Sequence, residues 1–144
     1  MKITLCGSTR FMPSFHEWNL RLTKAGHVVY SVAAATSDAD RGSNLDPETK
    51  LVLDAVHIAK IEESEAIFVI TAPHEVIDRK GTTAPYIGES TAREIYYASL
   101  RDKAVYYDHG NYTYDMKGRS FEDLNRVDVP LIRALALANR PWRG

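Results

Sequence analysis

The chain has one cysteine and five histidines in 144 residues, so an intrachain disulfide is impossible and no Cys/His spacing marks a metal site. It also has little net charge. Eighteen Lys and Arg against nineteen Asp and Glu leave a formal charge of −1, and no local basic patch replaces the missing global one, which excludes a polynucleotide or an anionic membrane as the expected partner. No apolar run approaches the ~20 residues of a membrane span, and Lys2 leads straight into a strand pattern without a signal-peptide layout. Internal repeats, low-complexity tracts, a nucleophile elbow and the later glycines of a dinucleotide fingerprint are missing as well. The composition that remains, 44% hydrophobic and 26% charged, is that of a soluble globular protein. Together with the unpaired Cys6, it predicts a cytoplasmic, single-domain chain over residues 1–144.

The hydrophobic pattern alternates between strand and helix. Ile3 to Cys6 is a short apolar run closed by Gly7, and Phe15, Trp18, Leu22 and Ala25 then recur at helical spacing, predicting a helix from Pro13 to Ala25. Residues 27–32 read as a second strand. The aperiodic stretch 33–46 ends at Asp46-Pro47-Glu48, where an N-cap aspartate, a first-turn proline and an acidic residue start a helix reaching about Glu63. Ala66 to Ile70 is a third strand. A second loop, 71–88, leads to a helix over about 91–100, a fourth strand at 104–107, and one or two closing helices around Phe121, Leu124, Val129, Ile132 and Leu135. Strands that alternate with helices predict a flavodoxin- or Rossmann-like α/β sandwich, with a mainly parallel sheet of four or five strands flanked by helices. In such folds ligands bind outside the carboxyl ends of the strands.

Two segments carry the chemistry. Gly7-Ser8-Thr9-Arg10 follows the first strand and offers close-approaching backbone, two hydroxyls and a guanidinium to a phosphate, carboxylate or sugar; a plain turn with Ser8 or Thr9 as a cap is the alternative. The second is Tyr86-Ile87-Gly88-Glu89-Ser90-Thr91-Ala92-Arg93-Glu94. Here Thr91-x-x-Glu94 has capping-box spacing, so Glu94 is either a helix-cap partner or a chemically active carboxylate. Asp38, Asp40, Asp46, His74 and Glu89 are acids in the loops on the same edge, and none stands out as a proton donor. His57, flanked by Val56 and Ile58, reads as a structural helical histidine. Tyr106, Tyr107, Tyr112 and Tyr114 form either a stacking surface or an amphipathic strand and turn.

Read together, GSTR after the first strand, His57-x-x-Lys60-Ile61 ahead of an apolar strand, and YIGxxTxxEIxxA before a later strand resemble the nucleoside 2-deoxyribosyltransferase-like family over roughly residues 1–108. The resemblance implies that Glu94 is a nucleophile attacking the anomeric carbon of a nucleoside or nucleoside 5′-monophosphate. It further implies substrate binding by Gly7, Ser8, Thr9, Arg10, Tyr86, Gly88, Ser90 and Thr91, with no cofactor, no metal and a homodimer or higher homo-oligomer to which Trp18 or the C-terminal helices contribute. Hydrolysis and 2-deoxyribosyl transfer differ only in the acceptor. Family members often carry an aspartate just before the third strand and glycines ahead of the nucleophile, where this chain has Glu65, Ser90 and Ala92. Those positions keep open a noncatalytic nucleotide-sensing module. A phosphoribohydrolase of the lysine-decarboxylase-like type is a further alternative, although Gly88-Glu89-Ser90 stands where its doubled glycines would be.

Overall fold

The computed structural model describes residues 1–41, 44–72, 86–108 and 119–120. Five strands form one parallel sheet: β1 (Lys2–Gly7), β2 (Val28–Tyr30), β3 (Ala66–Ile70), β4 (Ala104–Tyr107) and the two-residue β5 (Arg119–Ser120). Their order is β2-β1-β3-β4-β5. Among the described residues three α-helices lie between them, α1 (Met12–Lys24), α2 (Pro47–Glu63) and α3 (Glu89–Leu100). The chain therefore has the expected α/β architecture with the flavodoxin-type strand order, in which direction of travel across the sheet reverses between β1 and β3.

The alternation of side chains along the strands decides what each face packs against. Ile3 and Leu5 share one face with Phe68, Ile70 and Tyr106, covered by Phe15, Trp18 and Leu22 of α1. Cys6 turns to the other face with Ile67, Val69 and Tyr107, where Ile61 of α2 and Ile95 and Ala98 of α3 close the layer. All five residues of β3 are fully buried, as expected for a central strand sandwiched on both sides.

Local chemistry explains most boundaries. The Asp46 carboxylate accepts the Thr49 N–H at 2.8 Å and the Thr49 hydroxyl at 2.7 Å, which caps α2 where the Asp-Pro-Glu signal placed it. Gly7 is at φ +149°, and a Cβ there would lie 2.6 Å from the Ile70 carbonyl oxygen, so only glycine fits between β1 and β3. Gly26, at φ +94°, ends the turn after α1.

Several expectations change. The second strand is shorter than 27–32, because only Val28 to Tyr30 pair with Lys2 to Thr4 of β1. The 33–46 loop contains a short 3-10 turn at Asp38–Asp40, closed by the Asp38–Arg41 pair and a Ser37 to Asp40 hydrogen bond. Trp18 is not a surface contact: it is 8% exposed, packs on Phe68 with ring centroids 4.8 Å apart, and carries Arg21 over its other face at 4.1 Å. Tyr106 and Tyr107 form no stacking surface, since both are buried on opposite faces of β4. The closing helices, Tyr112, Tyr114 and His74 lie outside the described residues.

Candidate functional site

A cavity of about 410 Å³ opens at the carboxyl end of β1. Gly7, Ser8 and Thr9 form one wall, Val32 and Ala33 after β2 a second, and Asp54, His57 and Lys60 of α2 a third. Tyr86, Gly88 and the first turns of α3, including Glu89, Ser90, Thr91 and Glu94, complete it. The two segments singled out by sequence thus meet across one space, at the point where the strand order reverses.

The start of α3 removes one of the two readings of Glu94. The helix begins at Glu89 with Gly88 as N-cap, and the Ala92 N–H closes the first turn on the Gly88 carbonyl at 2.9 Å. Thr91 is therefore the third helical residue, buried, and not a cap; Glu94 lies in the second turn, out of reach of the N-cap amide that a capping box requires. The capping-box reading fails on position. The Glu94 side chain turns toward the sheet, with Oε1 3.6 Å from His57 Nε2. His57 Nε2 is in turn 3.5 Å from the Cys6 sulfur.

Burial shapes the protonation of this trio. It pushes Glu94 up to about 7, opposed by the hydrogen bond from the Cys6 thiol and reinforced by the Asp54 carboxylate. Burial raises the Cys6 thiol well above its ordinary range, with Glu94 adding to the effect, so the sulfur stays protonated at neutral pH. His57 is lowered to about 4, mainly by burial and then by Lys60. The His57–Glu94 contact is accordingly a neutral imidazole beside a carboxyl group, not an ion pair.

The remaining wall is held by ordinary means. Lys60 reaches across to donate to the Ser31 carbonyl at 2.7 Å, pinning the end of β2 to α2. Ser8 Oγ accepts the Arg10 N–H at 3.5 Å and starts a 3-10 turn over Thr9–Phe11. Arg10 does not line the cavity: its guanidinium lies 4.5 Å above the ring of Tyr86, which does, while Phe11 meets the same ring edge-on. Asp108, just beyond β4, accepts from the Thr71 N–H, the Thr71 hydroxyl and the Ala72 N–H at 2.8–2.9 Å, which anchors the chain as it leaves β3 with Ala72 at φ +33°.

Sequence reasoning passed over two of these residues. His57 read as a structural residue, yet its ring lines the cavity beside Glu94. Its spacing from Lys60 and Asp54 on α2 puts all three on one helical face, a signal that the i, i+3 pattern carried. Cys6 was traced only to the first strand, although its alternation with Leu5 already placed it on the opposite face. Among the acids considered, Glu89 lines the cavity, whereas Asp38 and Asp40 sit in the exposed 3-10 turn and Asp46 is engaged as a cap. Glu65 is exposed at the amino end of β3, its N–H bonded to the Lys2 carbonyl at 2.9 Å. That is the opposite edge of the sheet from the cavity, so the family departure there does not touch the site.

No protein-family model and no curated protein matches the chain. Its fold is similar to a solved structure of the 2-deoxyribosyltransferase from the psychrotolerant bacterium Bacillus psychrosaccharolyticus, a biocatalyst for nucleoside synthesis. The two align over 90% of this chain and 94% of the other, with a TM-score of 0.60 and 16% identity. At that identity the likeness speaks to architecture. Among the described residues, no helix is long and apolar enough to cross a membrane.

Proposed function

We propose that this chain cleaves the N-glycosidic bond of a nucleoside or nucleoside 5′-monophosphate, with Glu94 as the nucleophile. The observation that carries the reading is the position of the Glu94 carboxyl group. It is free of the helix cap and set into the wall of the same cavity that Ser8 and Thr9 line, with Oε1 3.6 Å from His57 Nε2. The fold likeness to a 2-deoxyribosyltransferase supports it.

In this mechanism a Glu94 oxygen attacks the anomeric carbon as the bond to the base nitrogen breaks. The bonding pair leaves with the base, which takes a proton, and a glycosyl ester remains on Glu94. Water or a second base then attacks the same carbon from the vacated face, giving its proton to the carboxylate that protonated the leaving base, which restores Glu94 as a carboxylate and gives net retention. Hydrolysis and transfer share the first step. Backbone and hydroxyl groups of Gly7, Ser8 and Thr9, with the N–H groups that the first turn of α3 leaves outside its own ladder, hold the sugar or its phosphate. Tyr86, Gly88, Ser90 and Thr91 line the approach to Glu94, and Arg10, stacked on Tyr86, favours a phosphorylated substrate. Glu89 and Asp54 are the carboxyl groups in the cavity wall that can deliver the proton to the departing base.

The test is chromatographic detection of free base from a panel of nucleosides and 5′-monophosphates, modified pyrimidines included, each with and without an acceptor base. Wild type is expected to release base, and Glu94→Gln to lose about 10³-fold or more. Absence of base release by the wild type across the panel overturns the reading. A nucleotide that raises thermal stability but stays intact marks a sensing module instead.

A further inference from the structure

We propose that Cys6, His57 and Glu94 form a binding site for a single zinc-like divalent cation, one that takes sulfur, imidazole and carboxylate donors. Three elements contribute one ligand each: the end of β1, the face of α2 that looks into the cavity, and the second turn of α3. Their donor atoms all lie within 4.8 Å of one another. The Cys6 sulfur to His57 Nε2 distance is 3.5 Å and the His57 Nε2 to Glu94 Oε1 distance is 3.6 Å.

The two edges that meet at His57 Nε2 are close to what a tetrahedral ion needs, and the Cys6–Glu94 edge, within 4.8 Å, closes by rotation of the Glu94 side chain. Bond lengths of about 2.3 Å to sulfur and about 2.0–2.1 Å to nitrogen and oxygen place bound donors roughly 3.4–3.5 Å apart, so the ligands need to move by only about 0.2 Å along the two measured edges. Charge balances as well. A dication meeting one thiolate and one carboxylate, with a neutral imidazole, leaves no net charge in a buried corner where an uncompensated one would be costly. Binding displaces the thiol proton to the buffer, and the sulfur–metal bond replaces the S–H. Cys6 is fully buried, while His57 and Glu94 line the cavity, so the fourth position is on the cavity side, where water can fill it.

The site and the reaction use the same carboxylate. A bound ion holds Glu94 as a ligand and withdraws it from attack, so zinc switches base release off and a chelator switches it on again. This consequence rests on the glycosidic reading, whereas the metal site does not.

The test separates the two. Cobalt(II), as a spectroscopic stand-in for zinc, is titrated without oxygen into the reduced protein. Because Cys6 is the single cysteine of the chain, any sulfur-to-cobalt charge-transfer band in the near ultraviolet reports that residue alone. One equivalent per chain is expected to produce the band together with the strong visible absorption of a tetrahedral site, and zinc to abolish both. Cys6→Ser is expected to remove the band. His57→Gln and Glu94→Gln, which leave the buried sulfur in place, are each expected to weaken cobalt binding at least about tenfold. No band at saturating cobalt, or an affinity unchanged in both His57→Gln and Glu94→Gln, overturns the site. If the band forms in a protein that releases no base from any substrate, the metal site stands and the glycosidic reading alone fails.

Discussion

Replacing Gly7 by alanine probes the joint between fold and site. Gly7 is the last residue of β1, paired in register with Ile70 of β3, and both flanking strands are packed from above and below. A Cβ at this position would sit 2.6 Å from the Ile70 carbonyl oxygen and 3.3 Å from both the Ile70 Cβ and the Phe15 ring. The nearest obstacle is backbone, so no side-chain rotation relieves the clash. The φ of +149° adds the strain of a conformation that L-residues rarely adopt, worth about 1–3 kcal/mol by itself. With partial parting of the two strands, the combined loss is about 3 kcal/mol, a large share of the 5–15 kcal/mol that typically stabilises a domain. Urea unfolding followed by circular dichroism measures it, and the melting temperature is expected to fall by roughly 6–12 °C. Gly88→Ala is the matched control. A Cβ there meets only the Tyr86 side chain, at 3.5 Å or more, with no positive φ, so the cost stays near 1 kcal/mol or below. A Gly7→Ala protein within about 1 kcal/mol of wild type, or no more affected than Gly88→Ala, would refute the argument that this turn admits glycine alone.

His27 makes stability depend on pH. Burial lowers it to about 4, and its Nδ1 accepts from the Met1 amino nitrogen at 3.1 Å, which leaves the Nε2 N–H buried without a partner among the described residues. Because the folded value lies below the ordinary 6.5, its contribution is complete above about pH 6.5 and is lost as pH falls toward 4, by at most about 3 kcal/mol. His27→Gln should flatten that part of the stability profile; an unchanged slope between pH 6.5 and 4 disproves the assignment. Asp108→Ala strips three donors at Thr71 and Ala72 of their acceptor and is expected to cost about 2–3 kcal/mol in thermal or chemical unfolding, with Asp108→Asn milder. Equal stability of Asp108→Ala and wild type would show that another group holds the chain after β3.

Much of the architecture was legible because it is local. The apolar run at 66–70 could only be a buried strand, Asp46-Pro47-Glu48 could only open a helix, and Gly7 marked a tight strand end. These signals depend on neighbours within a few residues, and so did the placing of Gly7 to Thr9 and of the Glu94 helix after strands that share an edge. Elsewhere the sequence was ambiguous. Thr91-x-x-Glu94 has the spacing of a cap, and only the folded chain shows that α3 starts at Glu89 and leaves Glu94 free of it. Trp18 could have been a surface contact until Phe68 was placed beneath it.

The tertiary structure alone brought Cys6, His57 and Glu94 together. They are separated by 51 and 37 positions, no single motif holds two of them, and their meeting depends on how two helices settle on one face of the sheet. The same burial decides their protonation, since an aqueous Glu, His or Cys keeps its ordinary pKa until water is removed. Local pattern sets which segments become strands and helices, because propensity and periodicity act along the chain. Which side chains share a dry corner is a property of the packed sheet, because proximity across it is bought only when the whole core closes.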